Sequence, residues 1–404
     1  MSAPSAAAPD RAVLAADELH HRDPARPRRA AFTDAEFQRR ITAVQQAMLA
    51  ADIDVLLVHA PENICYLTGY ETSGYFEYQT LVVPAAGRPE LLIRNVERLN
   101  MDEYSWLDRA HVWRDGTDYL AATATLVNQL SPDGRVALER HSWFMPADTA
   151  AGLTRRLAGH PIVGSDRLVE RIRLVKSDAE IGYVRRAAEL ADLAMSAAVA
   201  AAHPGGTESD VAAAAHAAQI SAGGEYPALP HYVSSGDRLE LGHAHWTDAV
   251  LRAGDLVKME FLGVRRRYHA GLTRPVSVGA PADPAVRADV ELCVRLQDET
   301  FAELRPGVPA AAVTRAAQDR LAGAGRAGLK IRLGYSLGIG FPPIAGEGQT
   351  ADFREAATWE LAAGMVFHML SVLRVGLVVS DTVLITDSGC ERLTSTPRRL
   401  LTAA

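Results

Sequence analysis

The chain has 404 residues, 48% hydrophobic and 23% charged, with a formal net charge of −7. That leaves room for two or three domains with large cores, and the acidic balance excludes the basic footprint of a nucleic-acid binder. No stretch approaches the ~20 uninterrupted apolar residues of a membrane span, and the N-terminus shows no signal-peptide pattern.

Residues 1–31 are rich in Ala, Pro and Arg and read as an N-terminal arm. From Thr33, "TDAEFQRRITAVQQAMLAADI" has helical apolar spacing, and "DVLLVHA" reads as a buried strand. "ENICYLTGY", "YQTLVVPAAG" and "PELLIRN" carry strand and turn signals. "DYLAATATLVNQL" is helical again, and "GRVALER" is a strand. Strands alternating with helices predict an α/β N-terminal domain over residues 32–170.

"VKSDAEIGYVRRAAELADLAMSAAVAAA" predicts a long helix, opened by a capping box of Ser177 and Glu180. A second Ala-rich helix, "ESDVAAAAHAAQISAGG", follows. After Gly224 the pattern turns to strands in "HYVSSGD", "DLVKMEFLGV" and "RYHAGLTRPV". Two helices come next, around 284–304 and 309–323, before strands return in "GYSLGIGF", "GMVFHMLSVL", "GLVVSDTVLITDSG" and "CERLT". This order predicts an α+β C-terminal domain over residues 171–404, with a curved antiparallel sheet covered on one face by helices. Cys65, Cys293 and Cys390 are scattered without C-x-x-C spacing, which argues against a zinc ribbon and fits a reducing, cytoplasmic setting.

The words "NICYLTGY", "RLVKSDAEIGYVRRAAELAD", "GHAHW", "GDLVKME", "RRYHAGLTR", "GYSLGIG", "GMVFHM" and "SDTVLITDSGCERLT", in this order, resemble the aminopeptidase P, prolidase and creatinase superfamily. The resemblance implies a creatinase-like N-terminal domain and a pita-bread C-terminal domain. Metallopeptidases of that superfamily hold two divalent ions through five side chains. Carried over position by position, those ligands fall on Glu260, Gly271, Tyr335, Leu370 and Ser380. Only Glu260 keeps an acid. Asp381 does not restore the count, because adjacent strand residues face opposite ways. The resemblance therefore implies no metal and no other cofactor. It points to the metal-free branch, which includes creatinase and ectoine hydrolase, and the words are similar to the ectoine hydrolase group.

Metal-free C–N hydrolysis needs a base or nucleophile, an acid for the leaving nitrogen, and stabilisation of developing charge. Glu260, on the apolar strand "LVKMEFLG", takes the first role. His243 aligns with the proton-shuttling histidine of creatinase and takes the second. Tyr335, in place of a metal-binding histidine, is expected to donate a phenolic hydrogen bond. His368 shares the face of position 370 and completes the expected catalytic set. His245, two places after His243, and His269, two places before Gly271, are expected to contact substrate on the same faces. Arg274 is expected to pair structurally with a carboxylate. Tyr70 and Tyr75, in the aromatic loop "GYETSGYFEY", suit a cationic or zwitterionic ligand by cation–π attraction. In creatinase-like homodimers such a loop leans over the partner's site.

The expected function is hydrolysis of a non-peptide C–N bond in a small zwitterionic amidine, guanidine or lactam, ectoine-like in kind. "FPPIAGE" places Ile344 and Ala345 where the ectoine hydrolase pattern has an acid and an aromatic. That keeps open a non-hydrolytic elimination, isomerisation or cyclisation in the same pocket. An inactive binding subunit is the third possibility.

Overall fold

The computed structural model describes residues 18–280, 283–326 and 332–404. The chain divides into two compact units between Val169 and Glu170. Of the expected arm, residues 1–17 lie outside the described residues. Leu19–His21 is not a free arm but a sheet-edge strand, β1.

The N-terminal unit is built on a seven-stranded sheet. Its strands are β1, β2 (Val55–Val58), β3 (Thr80–Pro84), β4 (Glu90–Arg94), β5 (Arg109–Trp113), β6 (Val136–Leu138) and β7 (Ile162–Gly164). They lie in the order β1-β5-β4-β3-β2-β6-β7, with parallel and antiparallel neighbours mixed. The helices are α1 (Asp34–Ala50), α2 (Pro61–Thr68), α3 (Arg98–Tyr104), α4 (Tyr119–Leu130) and α5 (Ala147–Arg156). The stretch read as strand and turn, "ENICYLTGY", is helix α2. Pro61 opens it, and Gly69 closes it in the left-handed region at φ 74°. All of α2 is buried, so its sequence carries no periodicity to separate helix from strand.

Helix α6 (Leu168–Arg173) spans the boundary, and the C-terminal unit follows with α7 (Asp178–Ala201) and α8 (Glu208–Ser221). Its sheet holds β8 (Tyr232–Ser235), β9 (Leu256–Arg265), β10 (Tyr268–Val278), β11 (Gly334–Ser336), β12 (Val366–Arg374), β13 (Leu377–Ile385), β14 (Cys390–Arg392) and β15 (Leu401–Ala403). The order is β11-β12-β13-β10-β9-β8, with β14 on β13 and β15 parallel to β10. Helices α9 (Pro284–Phe301) and α10 (Ala310–Gly323) complete the unit.

The capping box of Ser177 and Glu180 forms and starts α7. A second box, Thr207 with Asp210, starts α8. Helix α7 lies on β9 and β10, where Ala191, Ala194 and Ala198 pack on Val257, Met259, Phe261 and Leu272. Its small residues allow a close approach. A Cβ on Gly263 of β9 would stand 2.0 Å from the carbonyl oxygen of Ala187, so no larger residue fits. Alternation then sorts the faces of the sheet. Val257, Met259, Phe261, Phe367, Met369, Val379 and Val383 face helix-side cores. Their neighbours Glu260, His368, Leu370 and Ser380 face the other side, where the candidate site lies.

Candidate active site

Strand register places one row of side chains across that face. Glu260 stands opposite Tyr232 of β8 and opposite Thr273 of β10. Thr273 stands opposite Ser380 of β13, Ser380 opposite Leu370 of β12, and His368 opposite Tyr335 of β11. Above the row lies a cavity of about 370 Å³, within the range of small-ligand sites. Glu260, Tyr232, Tyr335, Leu370, His243 and Arg332 line it, with residues 343–346, 348 and 349 along one wall.

Glu260 is the acid of the cavity. Burial pushes its pKa up to about 7, partly opposed by the positive charge of Lys258 and a hydrogen bond from Thr273. Burial and the neighbouring Glu260 carboxylate push Tyr232 up to about 12. The Tyr335 phenol is also raised, chiefly by burial and then by Glu260. Lys258, two residues before Glu260 on the same strand face, donates from Nζ to the Leu241 carbonyl at 3.0 Å. Burial lowers its pKa.

Arg332 supplies the opposite sign. Its guanidinium stands 4.4 Å over the Tyr335 ring and 3.8 Å from Asp352, and half of its side chain stays exposed. Asp352 is itself held by Arg354. The cavity thus carries an anion on β9 and a partly available cation on another wall. Nothing in its local sequence marks Arg332, which precedes β11 in an irregular stretch.

His243 reaches the cavity from an exposed turn, with φ 55°, its ring 5.6 Å from that of Tyr232. A buried carboxylate, Glu208 at the start of α8, ties down both ends of this loop. Its oxygens accept from the Ser235 backbone and hydroxyl at 2.8 and 2.9 Å, from the Thr247 backbone and hydroxyl at 3.0 and 2.9 Å, and from Arg238. By sequence Glu208 is only a first-turn acid. Residues 336–348 are tethered similarly: buried Glu347 bonds Arg173 at 2.8 Å, Lys176 at 2.8 Å and Ser336 at 3.0 Å.

The structure corrects several expectations. His245 lies outside the cavity lining, because the turn at His243 breaks the strand on which both would share a face. His269 is fully buried with both ring nitrogens taken, Nδ1 by the Arg267 carbonyl at 2.8 Å and Nε2 by the Ala228 amide at 3.0 Å. Burial drops its pKa to about 3, so it is a neutral structural residue. Its end of β10 is covered by the loop through Gly338, whose carbonyl accepts from the His269 amide. His368 is buried behind Tyr335, bonded on both nitrogens to Tyr335 and Ser380, and does not line the cavity. A Cβ at Gly271 would meet Leu262 Cδ2 at 2.6 Å and His368 Cε1 at 3.5 Å, so this point of the row is filled by its neighbours. In the N-terminal unit, Tyr70 is buried at 2% exposure, and Tyr75 packs edge-on against Phe144 at 5.3 Å. Arg274 does pair with a carboxylate as expected, Asp381 at 2.7 Å, both fully buried, on the face of β13 opposite Ser380.

A creatinase-like α/β unit and a curved sheet carrying its cavity on the face away from the helices define a protein of the creatinase and prolidase class. The chain belongs to metallopeptidase family M24, whose model matches residues 182–387, and the creatinase/prolidase N-terminal domain matches residues 40–175. An uncharacterised hydrolase/peptidase of Sinorhizobium fredii is 31% identical over 92% of this chain and 98% of its own. The ectoine hydrolase of Halomonas elongata is 29% identical over 91% of this chain and 98% of its own. Among solved structures, dipeptidase PepE from Mycobacterium ulcerans aligns with a TM-score of 0.79 and 26% identity, covering 92% of this chain and 99% of that one.

The family name implies metal ions, and the side chains at the corresponding positions decide whether they fit. Glu260 offers a carboxylate. Gly271, Tyr335, Leu370 and Ser380 offer no carboxylate or imidazole. Among the described residues no group of three or more His, Cys, Asp or Glu side chains is arranged to hold a metal ion. Such a donor set does not fit a two-ion centre, which needs several charged or imidazole ligands converging on each ion.

Proposed function

We propose that this chain is a metal-independent hydrolase of a non-peptide C–N bond in a small zwitterionic amidine, guanidine or lactam. Ectoine is the first substrate to test. The observation that carries the reading is Glu260, a lone desolvated carboxyl on the cavity wall where four other ligand positions have lost their donors. The similarity to an ectoine hydrolase supports the substrate class.

In this reading Arg332 holds the substrate carboxylate, and Glu260 faces the cationic C–N group. Glu260 either attacks the amidine carbon directly or takes a proton from the attacking water. With a pKa pushed up to about 7, it serves as base near neutral pH and can hold the proton once taken. His243 gives a proton to the leaving nitrogen. The C–N bond breaks, with hydroxyl added at carbon and hydrogen at nitrogen. Tyr232 and Tyr335 offer hydroxyls to the charge that develops at the carbon.

A second reading, elimination or cyclisation in the same pocket, is favoured by Pro343, Ile344 and Ala345 on the cavity wall, which suit a reaction that excludes water. Mass spectrometry after incubation with ectoine separates the two. Hydrolysis adds the mass of one water, whereas loss of water or ammonia, or an unchanged mass with altered retention, supports the second reading.

A further inference from the structure

Four side chains of the row across the sheet are also joined by hydrogen bonds, and the fourth stands beside Glu260. Tyr335 Oη lies 2.9 Å from His368 Nδ1. His368 Nε2 lies 2.7 Å from Ser380 Oγ, and Ser380 Oγ lies 2.7 Å from Thr273 Oγ1. Thr273 stands opposite Glu260 in the register of β10 on β9, and its hydroxyl favours the charged carboxylate. The five groups sit on β11, β12, β13, β10 and β9, one per strand in sheet order. Its two ends, Glu260 and Tyr335, line the cavity, and its three middle members are buried.

Each middle member here has one donor and one acceptor role, so the direction of one bond fixes all the others. With Glu260 ionised, Thr273 must donate to it. Ser380 then donates to Thr273, His368 Nε2–H donates to Ser380, and Tyr335 donates to Nδ1. The phenol oxygen is left facing the cavity as an acceptor. With Glu260 protonated and donating to Thr273, every bond reverses. His368 then carries its proton on Nδ1, and the Tyr335 hydroxyl is free to donate into the cavity. We propose that this chain couples Glu260 to Tyr335, so that the protonation of the carboxyl sets the His368 tautomer and decides whether Tyr335 takes or gives a proton at the cavity.

The transfer balances. A cavity group gives a proton to the Tyr335 oxygen, Tyr335 passes its own to Nδ1, Nε2 passes one to Ser380, Ser380 one to Thr273, and Thr273 one to Glu260. The reverse pass returns the proton to the cavity and restores the starting directions. His368 remains a neutral ring throughout, since burial and the nearby Arg332 and Arg274 hold its pKa at about 3. The other groups facing the chain are Lys258 beside Glu260 on β9, Tyr232 across from it on β8, and His243 on the cavity wall. His368, Ser380 and Thr273 act through Tyr335 and Glu260 and are positioning residues, whereas Tyr335 itself meets the cavity. The inference rests on Glu260 being the titrating acid of the cavity and not on which reaction occurs there.

The test is NMR of the full chain labelled with nitrogen-15 histidine. It correlates ring nitrogens with carbon-bound ring protons from about pH 5 to about pH 9, and His368→Gln assigns the signal. The expected result is a switch from the Nδ1–H to the Nε2–H tautomer as pH rises, with a midpoint near the Glu260 value of about 7. Ser380→Ala and Thr273→Val each cut the chain and should leave one pH-independent tautomer. A single tautomer at all pH values in the wild type, or a switch that survives both cuts, overturns the proposal. Neither readout needs turnover, so failure of the hydrolase reading is seen separately. Once a substrate is in hand, Tyr335→Phe should lower kcat by about 100-fold with little change in KM. Unchanged kcat contradicts the role given to Tyr335.

Discussion

Replacing Glu260 by Gln should change how stability depends on pH, in a direction and size that the structure sets. The folded chain pushes this carboxyl from its ordinary 4.5 up to about 7, because burial disfavours the charge more than Lys258 and Thr273 favour it. An acid whose pKa rises on folding binds protons more tightly in the folded state, so its ionisation costs stability. The cost is absent below the unfolded value, grows between the two, and is complete above the folded one. At roughly 1.4 kcal/mol per pH unit, the interval corresponds to about 3 kcal/mol, most of it appearing between about pH 5 and about pH 8. Urea unfolding of wild type and Glu260→Gln at these two pH values isolates the effect, because Gln does not titrate. The variant should gain about 2–3 kcal/mol on the wild type as pH rises. A stability difference that stays constant within ~0.5 kcal/mol would show that Glu260 ionises as an ordinary exposed acid, and the electrostatic basis of the site would fail.

Arg332→Ala should raise KM for a carboxylate-bearing substrate by about 10- to 100-fold with a small change in kcat, since it removes binding that does not change along the reaction. Steady-state kinetics on such a substrate and on its ester checks this, and the ester should be insensitive to the change. Glu208→Ala should cost about 1–3 kcal/mol, because it leaves the buried Ser235 and the half-buried Thr247 donors without their acceptor. It should also loosen the His243 loop, so amide exchange at 236–247 should quicken. Gly263→Ala should destabilise by more than ~2 kcal/mol in thermal unfolding, because its methyl would meet the α7 backbone at 2.0 Å.

The architecture was legible because its signals are local. The box at Ser177, the 3.6-residue spacing of α7 and the alternation of Val257, Met259 and Phe261 against Lys258 and Glu260 all lie in short windows. That alternation by itself sets Glu260 on the face opposite the helix-side core. The roles of the histidines were less legible. His368 has the expected face, yet its register opposite Tyr335 places it behind that ring. His269 has the parity of Gly271, but the 338–340 loop covers its end of the strand. His243 and His245 share no face once a positive φ interrupts the strand. Glu208 owes its position to long-range contacts with the 235–247 loop, and Arg332 to the Tyr335 ring and to Asp352, 20 residues further on. No local pattern announces such contacts. The row from Tyr335 to Glu260 depends on the register of five strands, information a periodicity cannot contain.

In the proposed mechanism Glu260 takes the place of metal ions in the chemistry of this cavity. The most direct measurement is the rate of ectoine turnover by one preparation before and after exhaustive chelation, with metal content determined on both samples. An unchanged rate and no stoichiometric divalent metal are expected. A rate that disappears on chelation and returns with added zinc, manganese or iron would contradict that mechanism.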